Sequence, residues 1–124
     1  MRVSPQEFRT LVVEALAEIP QAFHVYLEGM AVDVEPMPDR ETCVSLGIRD
    51  PRDLLGLYRG TPLTERSVEH ISRMPDHITI YHHNIERMCR SRAQVIDQVR
   101  KTVLHEIGHH FGLDEDDLDE LGYQ

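Results

Sequence analysis

Apolar residues recur at Phe8, Leu11, Val12, Ala15, Leu16 and Ile19, the three-and-four spacing of one helical face. The run opens on Ser4-Pro5-Gln6-Glu7, a capping-box sequence with proline at the first helical position, and stops at Pro20. An N-terminal amphipathic helix is expected there. Gln21 to Glu28 has no clear period. Ala31-Val32-Asp33-Val34-Glu35 alternates and ends at the Pro36-Met37-Pro38 breaker, as a half-buried strand would. Asp39 to Arg52 is polar and rich in turn residues. Leu54 to Tyr58 is short, apolar and closed by Gly60-Thr61-Pro62, which predicts a second strand. Ile78 to Tyr81, β-branched and aromatic after the Met74-Pro75-Asp76 turn, predicts a third. From Arg92 to Phe111 the period returns to that of a helix. Val95, Ile96, Val99, Val103, Leu104, Ile107 and Phe111 fill one arc of it at 100° per residue, and Gly112 follows as a left-handed cap.

These elements describe an α+β chain, a small twisted and mostly three-stranded sheet packed on a long helix, with an N-terminal helix beside it. No repeat, low-complexity tract or linker divides it, so residues 1–124 are expected to form a single domain. Composition agrees with a folded chain of modest core, since 40% of the 124 residues are hydrophobic. Thirteen Lys and Arg against 22 Asp and Glu leave a formal charge of −9. That balance repels phosphate backbones and anionic lipid, which argues against a nucleic-acid partner. No apolar run approaches the roughly 18–20 residues that span a bilayer, so no membrane partner is expected. The start, MRVSPQEFRT, lacks a signal peptide's apolar core. A cytoplasmic protein is the expectation, with Cys43 and Cys89 as reduced thiols, structural or incidental.

Histidine changes the picture. Eight are present, and the long predicted helix ends on His105-Glu106-Ile107-Gly108-His109. In this H-E-x-x-H pattern the two imidazoles stand one turn apart along the axis and about 40° apart around it, so both can reach one metal ion. A catalytic zinc needs three protein ligands and an open fourth position for water. Glu106, on the same side of the helix, is placed to act as general base on that water without being a ligand. All three residues border the apolar arc and are expected to face a cleft at the rim of the core.

H-E-x-x-H alone recurs by chance, so context decides. Here it falls on an independently expected helix, ahead of Gly112, and the extended spacing H-E-x-x-H-x-x-G-x-x-E makes Glu115 the third ligand, with Asp114 and Asp116 as rivals. Two neutral imidazoles and one carboxylate would leave a single Zn²⁺ near a net charge of +1, enough to polarise water and a carbonyl. The competing reading is that the acidic run from Asp114 to Asp117 only stabilises the start of a last short helix.

HEIGHHFGLDEDDLDELGY at 105–123, LLGLYRGTPLTERS at 54–67 and PDHITIYHHNIER at 75–87 together resemble the short bacterial zincin-like metallopeptidases, the mini-zincins. The resemblance implies a minimal zincin domain, one zinc per chain and peptide-bond hydrolysis. It assigns zinc ligation to His105 and His109 and the base role to Glu106. The third-ligand position, often Asp in that family, is Glu115 here. Metzincins place a Met-containing turn under the metal, but no methionine follows Met88. Tyr123 is a candidate floor or phenol donor, or an aromatic covering the core edge.

Other residues draw weaker readings. His110 falls in the apolar arc and reads as a core or cleft-wall histidine. His82 and His83 follow the third strand and are candidates to face the cleft, though surface histidines there need no role. Leu54 to Tyr58, if an edge strand, can bind an extended peptide by strand addition. Arg59, Arg66, Arg87, Arg90 and Arg92 alternate with acids and read as solvated or paired. A zinc peptidase acting on peptides or flexible polypeptide is the leading expectation, with dimerisation left open for so small a cleft. The rivals are a zinc-binding regulatory protein on the same scaffold and a metal-dependent RNA-processing enzyme of H-x-x-x-H-x-x-x-x-x-H type. Retention of Glu106 disfavours the first, and Glu at 106 and 115 with a charge of −9 disfavours the second.

Overall fold

A computed structural model describes residues 1–60, 76–113 and Asp116. Helix α1 spans Pro5–Ala17, and Ser4 caps it by accepting the Glu7 N–H at 3.1 Å. The capping box closes in one direction only. The Glu7 carboxylate turns away from Ser4 and pairs with Arg92 at the start of the last helix, tying the two helices together. The ambiguous segment resolves into a 3₁₀ turn, Gln21–Phe23, and a single-turn helix α2, His24–Leu27.

Strand β1 is Ala31–Glu35, β2 is Gly56–Arg59 and β3 is His77–Tyr81. Their order is β1-β3-β2, with β1 parallel and β2 antiparallel to β3. The second strand therefore starts two residues later than its apolar run, because Leu54 and Leu55 belong to the turn leading into it. As the middle strand, β3 is buried on both faces. Ile78 and Ile80 join the main core. Tyr81 and Thr79 point the other way, toward a helix that the polar character of residues 39–52 concealed. This is α3, Arg40–Leu46, capped by Asp39 through the Thr42 N–H at 2.7 Å and ended by Gly47 at φ 70°. That capping bond holds the Asp39 carboxyl below its ordinary range. Arg59 on β2 reaches across to Thr42 Oγ1 at 2.8 Å, joining α3 to the sheet.

Helix α4, His82–Met88, follows β3 directly, and α5, Arg92–Phe111, completes the fold. Ser91 accepts the Gln94 N–H at 3.1 Å, while the Gln94 side chain accepts the Arg90 N–H, a reciprocal cap. Gly112 ends α5 at φ 69°. The core lies between α1, α5 and one sheet face: Phe8, Leu11, Val12 and Ala15 from α1, Ile78 and Ile80 from β3, and Val95, Val99, Val103, Leu104 and Ile107 from α5. Each of those α5 aliphatics, fully buried, stabilises the fold by about 1.5–3 kcal/mol. The helix is thus anchored along most of its length from one side, which leaves the other free for chemistry. Phe111 departs from its expected place in the arc. It is 40% exposed and meets Tyr26 at 4.7 Å between ring centroids, because the helix end runs past the core. Both cysteines are buried and free, and burial pushes the Cys89 thiol up from its ordinary value, in keeping with structural roles. No helix among the described residues is long and apolar enough to cross a membrane.

Candidate functional site

The last two turns of α5 present two faces. Val103, Leu104, Ile107 and Gly108 are buried, whereas His105 and His109 are exposed and Glu106 is half-buried between them and the sheet. The i, i+4 imidazoles lie side by side, ring centroids 4.7 Å apart and tilted by 46°. Among the described residues no hydrogen bond occupies their ring nitrogens. Side chains so placed stay available to a ligand.

Strand β2 forms the facing wall. The Tyr81 N–H donates to the Leu55 carbonyl at 3.0 Å, and the register pairs Leu57 with Thr79 and Arg59 with His77. In an antiparallel ladder that phase turns the N–H and C=O groups of Gly56 and Tyr58 away from β3, toward α5. The Tyr58 N–H meets Glu106 Oε1 at 3.0 Å. Its ring stacks on His110, 3.8 Å between centroids and 20° from parallel, and its hydroxyl donates to Asp76 Oδ2 at 2.8 Å. Strand and helix come this close because position 56 is glycine. A Cβ there would stand 2.6 Å from Thr102 Cγ2 and 3.2 Å from the Thr79 carbonyl oxygen, inside any ordinary contact.

Between the two walls runs a groove of about 520 Å³. His105, Glu106 and His109 line one end of it, and Gly56 and Leu57 its strand side. It continues past Thr102 to Lys101 and Gln98. Its far lip is the turn through Asp53 and Leu54. Asn84 of α4, 1% exposed, holds that turn by donating both amide hydrogens, to the carbonyls of Pro51 at 2.8 Å and Leu54 at 2.7 Å. Asp50 starts the turn. The Arg52 side chain, then its N–H, hold the Asp50 carboxyl down to about 2.

The donor set fits a divalent transition metal in part. Two adjacent, unengaged imidazoles suit zinc and supply two of the three protein ligands that a catalytic site takes. Among the described residues no group of three or more His, Cys, Asp or Glu converges on one point. Asp116, a rival for the third position, is exposed and does not complete the set. Glu115, Asp114 and Tyr123 lie outside the described residues.

The other histidines divide cleanly. His82 and His83 do not join the groove. His82 is buried on α4 with Nδ1 at 2.6 Å from Glu86 Oε2, and His83 lines a separate cavity with Met37, Arg52 and Arg87. His110 is exposed and stacked on Tyr58, a wall residue and not a core one. Sequence reasoning offered Leu54 to Tyr58 only as a peptide-binding edge, and missed Thr102, Asn84 and the approach of Gly56 and Tyr58 to α5 as builders of this site. A glycine inside an apolar strand run was the one available sign of close backbone approach.

Comparison with known proteins agrees with this geometry. The family model described as zincin-like metallopeptidase matches residues 27–123. No curated protein matches the chain. Among solved structures, a conserved hypothetical protein from Thermo thermophilus is similar, with a TM-score of 0.54 and 23% identity, over 88% of this chain and 94% of that one. At that identity the likeness speaks for the fold alone.

Proposed function

Because the chain belongs to the zincin-like metallopeptidase family, we propose that it is a zinc-dependent peptidase acting on peptides or flexible polypeptide segments inside the cell. His105 and His109, with Glu115, hold one Zn²⁺, and Glu106 is the general base. The observation that carries this reading is the pairing of two free imidazoles and a carboxylate with an outward-facing strand edge across one groove.

When bound, zinc supplies Lewis acidity, polarising water and the scissile carbonyl. The chain does the rest. Gly56 presents an N–H and a C=O toward the groove, and among the described residues neither has a partner, so an extended peptide can add to β2 there by main-chain bonds. Such bonds ignore side chains, which suits a sequence-tolerant enzyme. Glu106 takes a proton from the attacking water and returns it to the departing amine. The half-buried setting of its carboxylate strengthens its interactions over those in bulk water.

Zinc stoichiometry at neutral pH, followed by turnover of a peptide library, tests the proposal. About one zinc per chain is expected, lost in His109→Ala and Glu115→Ala. Glu106→Gln is expected to keep the metal and lower kcat by about 10²–10⁴-fold. Zinc binding without turnover on any peptide would put the regulatory reading ahead, and absence of zinc binding would end the metallopeptidase reading.

A further inference from the structure

Tyr58 of β2 touches α5 at two successive turns. Its N–H donates to Glu106 and its ring lies on His110, four residues on and on the same helical side. We infer that Tyr58 is the positioning residue for the base. Its main-chain N–H holds Glu106 Oε1, which fixes the carboxylate's direction and leaves Oε2 to exchange the proton. The inference rests on the peptidase reading above.

The geometry supports it in three steps. A glutamate has three side-chain torsions, and one on a half-buried groove wall still has several rotamers open to it, so a base at this position needs something to aim it. An N–H at 3.0 Å from one carboxylate oxygen does this, and charge-assisted bonds of that kind are about twice as strong as neutral ones. The donor is itself held. The Tyr58 ring is clamped on His110, its hydroxyl on Asp76, and Leu57 and Arg59 on either side are fixed by the ladder to β3. Gly56 admits the strand to this distance.

A consequence concerns substrate register. Gly56 and Tyr58 are the two β2 residues whose amides face outward, and the Tyr58 N–H is engaged by Glu106. An incoming peptide therefore finds its β2 amide donor at Gly56. That offsets the peptide toward Thr102, Lys101 and Gln98, the direction in which the groove runs.

Amide hydrogen exchange on the full chain, supplied with one equivalent of zinc, reads the bond without relying on activity. The Tyr58 N–H is expected to exchange about 10–100-fold more slowly than the outward N–H of Gly56, after correction for intrinsic rates, and to lose that protection in Glu106→Ala. Protection that survives Glu106→Ala overturns the inference. Kinetics then separate aiming from simple support. Tyr58→Pro removes the N–H without breaking a bond to β3, and Tyr58→Ala removes the ring but keeps the N–H. The proline variant is expected to fall roughly tenfold or more below the alanine variant in kcat, with KM within about threefold. Equal kcat in the two overturns the aiming role. Wild-type protein that cuts nothing while Tyr58 stays protected overturns the peptidase reading and leaves the bond as a structural tie. An unprotected Tyr58 in a chain that cuts peptides overturns this inference alone.

Discussion

Consecutive helices of this chain carry nearly the same letters and do opposite things. Helix α4 holds His82, His83 and Glu86, and α5 holds His105, Glu106 and His109. On α4 the histidine and glutamate one turn apart find each other. His82 and Glu86 are 8% and 5% exposed and bonded at 2.6 Å, and the second Glu86 oxygen accepts the Val3 N–H at 3.0 Å. On α5 His110, one turn on from Glu106, lies on Tyr58 instead, and the two ligand candidates one turn apart are both histidines. They cannot satisfy each other as a histidine and a carboxylate do, and both stand exposed. The carboxylate between them is taken up by the opposite wall. What is left unpartnered differs between the two helices, and the packing around each pair sets that.

The sharpest way to break this comparison is to remove each glutamate in turn. Glu86→Ala strips the buried His82 ring and the Val3 N–H of their acceptor, so a loss of about 2–4 kcal/mol is expected. That corresponds to a fall of roughly 10 °C in the thermal midpoint. Glu106→Ala leaves a Tyr58 N–H that water can reach, and its effect on stability is expected to stay within about 1 kcal/mol. Thermal unfolding of the two variants without metal checks both. Equal losses would erase the distinction between a structural and a chemical pair.

A second test works on the wall that α5 faces. In Gly56→Ala the new methyl meets Thr102 Cγ2 at 2.6 Å, part of a buried, branched side chain, so β2 is expected to lift from α5. The expected cost is about 1–3 kcal/mol. Thr102→Ala added to Gly56→Ala should recover most of it, a coupling that independent sites do not show. Urea unfolding of the two single variants and the double gives that coupling directly. Additive losses would mean that the close approach of strand and helix does not depend on Gly56.

How much of this was legible follows the range of the interactions. The periodicities placed β1, α1 and α5 almost to the residue, because each is an amphipathic segment with its own start and stop signals. The H-E-x-x-H pair was legible because its geometry is local, a single helical turn. Helix α3 was hidden, being seven residues of mixed polarity whose one clear mark is the Asp39 cap. The fate of His82 was hidden too. Its partner at i+4 was visible in the sequence, but its burial under Phe8, 5.5 Å away between ring centroids, is a long-range fact. For the same reason no pattern in the chain announced that an amide at position 58 would meet a carboxylate at 106. The third-ligand position, Glu115, stays a sequence argument.

The smallest expected effect lies in the turn that links the two helices' domains of influence, from Asn84 on α4 to the lip of the α5 groove. Asp50 opens that turn, and its bonds from Arg52 hold its carboxyl at about 2, below the ordinary 3.8. A depressed folded-state value means that the unfolded chain binds the proton first as pH falls. The stabilisation is therefore complete above about pH 4 and is lost as pH drops toward 2. Asp50→Asn should be less stable than wild type at pH 5, and the gap should close across that window in urea unfolding run from pH 5 to 2. A gap that stays constant with pH would assign the turn's rigidity to Asn84 alone. The effect is expected to be slight, because both partners sit in water, where solvent screens the pair. Glu86 has its partners buried, and Glu86→Ala is expected to cost several times more than Asp50→Asn. The contrast between α4 and α5 thus extends to a third carboxylate: burial ties such a group into the fold, a facing wall holds it at the groove, and open solvent leaves it little weight.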